Sequence, residues 1–314
     1  MKTGKLKILI TGISGFIGRS LVEKIVNENL RWKIYGIDIK EPVFNDNKYR
    51  EQIDFDFLDI RNEKAVKTYF SNKQFVIVLH LAAVSRVIDA EKDKKNCIAV
   101  NYYGTKYIIE NVAKNPETSF IFGSSREVYG EQSSFPVKET AEKNPINIYG
   151  RCKLDGEHLV ESLISKYAIL RFSNVYGNNY DIEGRVIPSF IKSAINGETL
   201  FLEGGDQIID FTHIDDTIEC IIKTVILLKT DKIKSEVIHI SPGVENKITD
   251  IILYLKKILG KDLRVITTEK RSYDVVRFIG NPAHRKYILG DVEFKTLYKG
   301  IEMLINTLQQ NINQ

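Results

Sequence analysis

The sequence predicts an α/β fold built on a doubly wound parallel sheet, with a smaller lobe at the C-terminal end. From residue 6 to residue 180, short apolar runs alternate with longer amphipathic stretches, which is the pattern of successive βαβ units. A glycine-rich segment joins the first apolar run to the first amphipathic stretch. The pattern changes after Tyr176, where loop-forming residues follow.

The elements of the first lobe follow from local composition. Short runs rich in β-branched and aromatic residues predict strands at 7–11, 33–38, 76–81, 119–123 and 168–172. Amphipathic stretches predict helices near 16–29, 62–71, 96–114 and 149–166. The strands are almost continuously apolar, as expected of a sheet that is covered by helices on both faces.

A loop at residues 177–181 separates this regular part from shorter, mixed segments. We therefore assign residues 1–176 to the first domain and residues 177–314 mainly to a second lobe. Some later segments, such as 237–241, are expected to return to the sheet of the first domain.

Composition excludes several classes of protein. The 314 residues carry 45 basic and 41 acidic side chains, a net charge of +4 that is scattered, so no nucleic-acid or membrane partner is indicated. The apolar runs are much shorter than the roughly 20 residues that a bilayer span needs. The three cysteines lack metal-ligand spacing and are odd in number, which predicts reduced thiols in a cytoplasmic protein and no metal site.

The glycine loop, Thr11-Gly12-Ile13-Ser14-Gly15-Phe16-Ile17-Gly18, lies between a predicted strand and a predicted helix. In that context Gly12 permits a tight turn, Gly15 lets the backbone approach a diphosphate, and Gly18 lets the helix pack on the strand. The helix N-terminus adds free N–H groups and a partial positive charge. The loop therefore predicts dinucleotide binding in a Rossmann-type domain rather than an ordinary turn.

Asp38 ends the second predicted strand, about 20 residues beyond the loop. A carboxylate there accepts hydrogen bonds from ribose hydroxyls and repels a 2′-phosphate, which favours NAD over NADP. Lys40, two residues on, acts against this preference.

Tyr149 and Lys153 are four residues apart at the start of a predicted helix, so their side chains share one face. A phenol with a pKa near 10 is a poor base at neutral pH, but a neighbouring ammonium and an oxidised nicotinamide lower that value. This spacing also occurs on ordinary surface helices. Here it follows a strand that ends in serines, which favours a catalytic pair.

Together these motifs resemble the extended short-chain dehydrogenase/reductases, in the group of NAD-dependent nucleotide-sugar epimerases and dehydratases. The resemblance runs almost from end to end. Besides the glycine loop and the Tyr149/Lys153 pair, it rests on the segments Asp59-Ile60-Arg61, His80-Leu81-Ala82-Ala83, Asn101-Tyr102-Tyr103-Gly104-Thr105, Ser124-Ser125-Arg126-Glu127-Val128-Tyr129-Gly130, Arg171 to Gly177 and Phe211 to Asp216.

The resemblance implies roles for individual residues. Tyr149 would be the general base and acid, and Lys153 would hold the nicotinamide ribose. Ser125 would bind the sugar O4, Glu127 would complete the catalytic set, and Asn174 would contact the diphosphate. The cofactor-binding set would be Gly12, Ser14, Gly15, Phe16, Ile17, Gly18, Asp38, Asp59, Ile60, Leu81, Ala82, Ala83, Asn101, Tyr149 and Lys153, and the substrate-binding set Ser85, Ser125, Arg126, Asn174, Arg185 and Arg277. His80 and Asn101 have packing roles as an equal alternative.

Two positions decide the branch of the family. Glu127 stands where dehydratases and some decarboxylases carry a glutamate, but Arg126 replaces the aspartate that protonates the leaving hydroxyl in many dehydratases. An arginine is a poor acid for that step, and Glu127 without a chemical role, paired with Arg126, is an equal alternative. Ile209 stands where many relatives carry a diphosphate-binding arginine, so Arg185, Arg277 and, less so, Arg271 are the candidate replacements.

The sequence favours a nucleotide-sugar 4-epimerase of the UDP-glucose/UDP-galactose type that acts through a 4-keto intermediate. The alternatives are a nucleotide-sugar 4,6-dehydratase or UDP-glucuronate decarboxylase, a non-catalytic dinucleotide-binding sensor, and a net oxidoreductase on another small substrate. The resemblance also implies a substrate-binding C-terminal lobe and a homodimer formed through the helices near 96–114 and 149–166.

Overall fold

Seven parallel strands form the central sheet of the protein, a computed structural model that describes residues 5–181 and 184–312. Their order across the sheet is β11-β6-β5-β4-β1-β2-β3. The strands are β1 (Leu6–Thr11), β2 (Trp32–Asp38), β3 (Ile53–Phe57), β4 (Ile77–His80), β5 (Ser119–Ser125), β6 (Tyr167–Phe172) and β11 (Ser235–Ile240).

The predicted strands of the first lobe are all present, and the sheet contains two more. β3 at the edge pairs with β2, and β11 at the opposite edge pairs with β6. β11 includes most of the segment expected to return to this sheet. β3 was missed because its sequence, Ile-Asp-Phe-Asp-Phe, alternates apolar and acidic residues, as is usual for an edge strand with one solvated face.

Helices cover both faces of the sheet. The helices are α1 (Phe16–Asn27), α2 (Asn47–Arg50), α3 (Glu63–Asn72), α4 (Val87–Lys92), α5 (Lys94–Cys97), α6 (Thr105–Val112), α7 (Ile148–Leu163), α8 (Val186–Asn196), α9 (Ile214–Lys229), α10 (Ile248–Leu259), α11 (Ala283–Leu289) and α12 (Leu297–Ile312). α1 and α9 pack on one face, and α3, α6 and α7 pack on the other. Each face has its own apolar core.

The helix predicted near 96–114 differs from an ordinary α-helix. The chain forms α5, then a π-helix at Ile98–Gly104, then α6. π-turns inserted in α-helices occur frequently at functional sites. Gly104 ends this one against Ile60, because a Cβ on Gly104 would lie 2.7 Å from the Ile60 side chain.

A separate apolar core lies in the later part of the chain. It is built from α8, α10, α12 and the strands around them, and includes Ile191, Leu200, Ile251 and Ile301. The remaining strands form three small sheets: β7 (Asn174–Tyr176) with β10 (Phe211–His213), β9 (Ile208–Ile209) between β12 (Asn246–Lys247) and β14 (Arg277–Phe278), and β8 (Leu200–Glu203) with β13 (Val265–Thr268). The domain boundary at residue 177 stays a prediction.

A buried ion pair ties α7 to two strands. Glu157 on α7 accepts hydrogen bonds from Arg171 of β6 at 2.9 Å and 2.6 Å, and both side chains are 1% exposed. The same carboxylate accepts a hydrogen bond from the Ser124 hydroxyl of β5 at 2.5 Å. The position of α7 along the sheet therefore depends on one carboxylate.

We expect Arg171→Met to destabilise the protein by about 3–5 kcal/mol, because it leaves the Glu157 charge buried without its partner. The double variant Arg171→Met/Glu157→Leu should regain part of that loss. Asp231→Asn is the control, because its pair with Lys166 at 2.5 Å lies at the surface, with Asp231 82% exposed. It should cost less than about 1 kcal/mol. Urea unfolding measures all three, and equal losses for the buried and surface variants would contradict this account.

Candidate active site

The glycine loop lies at the point where the strand order of the sheet reverses. It follows β1, and β1 is flanked by β2 and β4, so the carboxyl ends of β1 and β4 border a crevice. Leu81, Ala82 and Ala83 follow β4 on the other side of that crevice and are half-buried. The predicted cofactor residues of both strands therefore meet at one place.

Two glycines of the loop have no room for a side chain. Gly12 has φ +72°, and a Cβ on it would lie 2.6 Å from the Ala82 nitrogen. A Cβ on Gly18 would lie 2.6 Å from the Ile13 carbonyl oxygen. Gly15 caps α1 in extended backbone geometry and leaves the first N–H groups of the helix accessible to a ligand. These are the features that a dinucleotide diphosphate requires.

Asp38 is connected to the glycine loop by hydrogen bonds. Its Oδ2 accepts from the Ser14 N–H at 3.0 Å, and its Oδ1 accepts from the N–H groups of Ile39 at 2.7 Å and Lys40 at 3.2 Å. A carboxylate has about four acceptor positions, so Asp38 retains capacity for ribose hydroxyls. Its contact with the cofactor stays a prediction.

Asp59 and Ile60 lie farther along the same edge of the sheet. Asp59 is ion-paired with Arg61 at 2.6 Å, and Arg61 also donates to Asn96 at 3.0 Å. Ile60 is buried. The Asp59–Arg61 pair fixes the turn after β3, and the cofactor contacts of Asp59 and Ile60 stay a prediction.

His80 and Asn101 are fully engaged within the protein. His80 Nδ1 lies 2.7 Å from the Thr11 hydroxyl and His80 Nε2 lies 2.9 Å from the Thr105 hydroxyl, and burial lowers the pKa of His80 to about 3. Asn101 accepts from the Val84 N–H at 2.7 Å and donates to the Val84 carbonyl at 3.0 Å. His80 thus connects β4 with β1 and α6, and Asn101 fixes the backbone that follows β4, which supports the packing alternative.

Tyr149 lies one residue into α7, beside the end of β5. Asn147 caps this helix by accepting from the Gly150 N–H at 2.8 Å. The pKa of Tyr149 is raised to about 12, mainly by burial and in part by the Glu127 charge, while a hydrogen bond with Ser125 and the Arg185 charge act to lower it. The structure therefore brings Tyr149 and Ser125 together.

Lys153 is buried one helical turn after Tyr149. Its Nζ donates to the Gly123 carbonyl at 2.6 Å and lies 5.8 Å from the centre of the Tyr149 ring. Burial lowers the pKa of Lys153 to about 8. The ammonium is thus held between β5 and the phenol.

Arg126 and Glu127 form a buried pair next to Ser125. Arg126 Nη2 lies 2.9 Å from Glu127 Oε1, and the two side chains are 9% and 7% exposed. Asn147 Nδ2 donates to the other oxygen of Glu127 at 2.8 Å, and Arg126 Nε donates to Asn174 Oδ1 at 2.8 Å. Arg126 Nη1 is buried and has no hydrogen-bond partner among residues 5–181 and 184–312.

A family model described as the NAD dependent epimerase/dehydratase family matches residues 8–241. The chain belongs to this family. The predicted family, α/β fold, NAD cofactor and enzyme class are confirmed.

Relatives of both reaction types are similar to this chain. The dTDP-glucose 4,6-dehydratase of Shigella flexneri is 28% identical, covering 90% of this chain and 85% of its own length. The UDP-glucose 4-epimerase of Lactobacillus helveticus is 25% identical, covering 96% of each chain. Sequence similarity therefore supports membership of the family but does not distinguish an epimerase from a dehydratase.

Two solved epimerases have nearly the same fold. A UDP-glucose 4-epimerase from Thermotoga maritima, solved with UDP-glucose, has a TM-score of 0.87 at 25% identity, covering 98% of this chain and 100% of its own. A UDP-glucuronic acid 4-epimerase from Bacillus cereus, solved with UDP-glucuronic acid and NAD, has a TM-score of 0.87 at 27% identity with the same coverage.

The arginines proposed to bind the diphosphate differ in their ion pairs within the protein. Arg185 pairs with Asp181 at 3.2 Å, and its charge acts on Tyr149, which places it near the catalytic pair. Arg277 is ion-paired with Glu245 and lies 4.3 Å from the centre of the Phe135 ring. Arg271 is paired with Glu203 at 3.2 Å and Asp274 at 2.8 Å. Of the three arginines, Arg185 is the one whose charge acts on Tyr149.

Ser85 is exposed in the segment after β4, and its predicted substrate contact is untested. Asn147 is the functional residue that sequence reasoning missed. Its position three residues before Gly150, at the start of a helix, is typical of an N-cap and could have indicated the first of its roles. Its hydrogen bond to Glu127 could not be predicted from the sequence.

No helix among the described residues is long and apolar enough to cross a membrane.

We expect Gly12→Ala to weaken NAD binding by more than tenfold, about 1.4 kcal/mol or more, because the new methyl group collides with Ala82. Gly197→Ala is a matched control, because Gly197 also has φ +72° but a Cβ there meets nothing within 4 Å. It should cost about 1–2 kcal/mol of stability through backbone strain and leave NAD affinity unchanged. Calorimetric titration and urea unfolding measure both effects. Equal NAD affinity in the two variants would refute the role of Gly12.

Proposed function

We propose that this protein is a nucleotide-sugar 4-epimerase of the UDP-glucose/UDP-galactose type. The observation that carries the proposal is the contrast between the surroundings of Tyr149 and those of Glu127. Tyr149, Ser125 and Lys153 converge, while the nearby carboxylate of Glu127 has a donor on each oxygen, from Arg126 and from Asn147. Among the described residues, Tyr149, the candidate base for a hydroxyl group, is bonded only to the serine that would share its substrate oxygen. Both oxygens of Glu127, the candidate base for a C–H group, are occupied by donors.

The chain's own residues supply binding and proton transfer. Tyr149 takes the proton of the C4 hydroxyl and returns it to O4, while Ser125 binds the same oxygen. Lys153 is held by the Gly123 carbonyl, and its charge stabilises the Tyr149 phenolate. NAD, when bound beside Tyr149 and Lys153, would supply reversible hydride transfer at C4, so that no free reductant would be consumed.

The residues present fit that cofactor. The loop offers the N–H groups of the α1 N-terminus, two glycines where a Cβ would collide with backbone, and Asp38 at the end of β2. The diphosphate of the sugar nucleotide would be bound by Asn174 and Arg185, since Ile209 supplies no charge.

A 4,6-dehydratase or UDP-glucuronate decarboxylase is the second candidate. It is favoured by a buried carboxylate, Glu127, whose charge acts on Tyr149. Against it stands Arg126, which occupies the place of an acid and is itself bonded to Glu127. Relatives named as epimerases and as dehydratases are similarly distant. A homodimer through the π-helix, α6 and α7, and a cytoplasmic location, remain predictions.

Turnover with a panel of sugar nucleotides tests the proposal. We expect interconversion of UDP-glucose and UDP-galactose without net NADH, and little product from GDP-mannose, dTDP-glucose or UDP-glucuronate. Tyr149→Phe should lower kcat by roughly 10²–10⁴-fold while NAD still binds, because only the acid–base group is lost. A stable 4-keto-6-deoxy product or released CO₂ would instead establish the second candidate.

The pH dependence of kcat/KM tests the Tyr149–Lys153 pair. The reactive form has a phenolate and an ammonium, and the pKa values are about 12 and about 8. Below the pKa of Lys153 this form gains about tenfold per pH unit. Between the two pKa values, the fraction of Tyr149 phenolate still rises with pH, but the fraction of Lys153 ammonium falls by the same factor. We therefore expect kcat/KM to rise and then level off near pH 8, or lower because the positive nicotinamide also lowers the pKa of Lys153.

The matched variant for this profile is Lys153→Met. Without the second titrating group, its lower kcat/KM should keep rising through pH 8 and show no plateau. A plateau that survives the substitution would assign the inflection to another group.

A further inference from the structure

The hydrogen bonds of Glu127 determine whether its carboxylate could remove a proton from a 4-keto sugar. Its backbone N–H donates to Ser125 Oγ at 3.2 Å, so the residue adjoins the group that bonds Tyr149. Asn147 bonds Glu127 and also caps the helix that carries Tyr149. These contacts, and the action of the Glu127 charge on Tyr149, place the carboxylate next to the Tyr149–Ser125 pair, which under the proposed function binds O4. C4 carries O4, and C5 is one bond from C4.

A ketone at C4 makes the C5 hydrogen acidic, because the electron pair left on C5 delocalises into the carbonyl. A free carboxylate at this position would be a general base for that hydrogen. An epimerase at C4 gains nothing from this reaction, since loss of the C5 proton scrambles C5 or leads to elimination at C6. Control over Glu127 is therefore a requirement for clean 4-epimerisation.

Arg126 holds the Glu127 carboxylate in place through fixed contacts. Its guanidinium is buried, it contacts Glu127 Oε1 at 2.9 Å, and its Nε is fixed by Asn174 at 2.8 Å. Two fixed nitrogens prevent the fork from turning away from the carboxylate. Asn147 occupies the second oxygen at 2.8 Å. Withdrawal of either donor would leave a buried acceptor unpaired, which is unfavourable.

We propose that Arg126 is a positioning residue that determines the reaction: it holds Glu127 so that a 4-keto sugar keeps its C5 proton. The inference rests on the proposed function only in requiring a 4-keto sugar at this site. Without Arg126, the Glu127 carboxylate takes the C5 proton, and the C5–H electron pair forms a C4–C5 enolate with the charge on O4. Return of a solvent-exchanged proton to C5 restores the ketone, with no net oxidation or reduction.

Deuterium exchange isolates this step from the redox chemistry. The NAD-loaded protein is incubated in D₂O with UDP-4-keto-6-deoxyglucose, and deuterium at C5 is measured by mass spectrometry and NMR. We expect little exchange with the natural sequence and a rate roughly 10²-fold higher with Arg126→Gln, the usual size of general-base catalysis. The double variant Arg126→Gln/Glu127→Gln should return to the low rate, and Arg126→Lys should restore much of the control.

A second variant covers the case in which Arg126→Gln does not fold. Asn147→Ser keeps a side chain that caps α7 but removes the donor to Glu127, so it should give a smaller increase in exchange. Thermal melts and NAD titration establish that each variant is folded. A merely structural role for Arg126 would lower every rate and create no new exchange.

Unchanged or reduced exchange in folded Arg126→Gln and Asn147→Ser would overturn the proposal, as would exchange that persists in the double variant. These outcomes are separate from the proposed function. Epimerisation of UDP-glucose without the gain in exchange would refute only the role of Arg126. A gain in exchange without epimerisation would refute only the choice of substrate and reaction.

Discussion

The positions of Tyr149 and Lys153, the proposed catalytic pair, depend on the Glu157 carboxylate. It accepts hydrogen bonds from Arg171 of β6 and Ser124 of β5, with both charged side chains 1% exposed. Tyr149 and Lys153 precede Glu157 by two turns and one turn of the same helix, so the three side chains share a face. An ion pair this deeply buried contributes little net stability, but it allows only one register of helix against sheet.

The same pair is linked to the C-terminal end of β5. Ser124 is bonded to Glu157, and its neighbour Ser125 is bonded to Tyr149. Lys153 is fixed independently, through the Gly123 carbonyl. Three consecutive residues of one strand thus contact three positions of α7. These three contacts fix the first turns of α7 against the C-terminal end of β5.

The sequence predicted those parts of the site that depend on local chain geometry. Gly12 and Gly18 could be recognised because a turn and a close helix contact each need a missing Cβ, and Tyr149 and Lys153 because helical spacing is regular. Contacts distant in sequence had no such pattern. The partner of Arg171, the second bond of Asn147 and the pairing of Arg277 with Glu245 emerge only when separate segments pack together. β3 was missed for a related reason, since acidic residues interrupt its apolar pattern.

The charges of the pocket show why the residues at 126 and 127 have to be considered as a unit. A lone Glu127 would raise the pKa of Tyr149 further and oppose formation of the phenolate, because like charges repel. A lone Arg126 would be a buried cation without a counterion. As a pair they carry no net formal charge, yet the Glu127 carboxylate still acts on Tyr149 and raises its pKa. An arginine at position 126 therefore changes two properties together: it offers no proton that could be donated at neutral pH, and it provides the counterion for the carboxylate beside Tyr149.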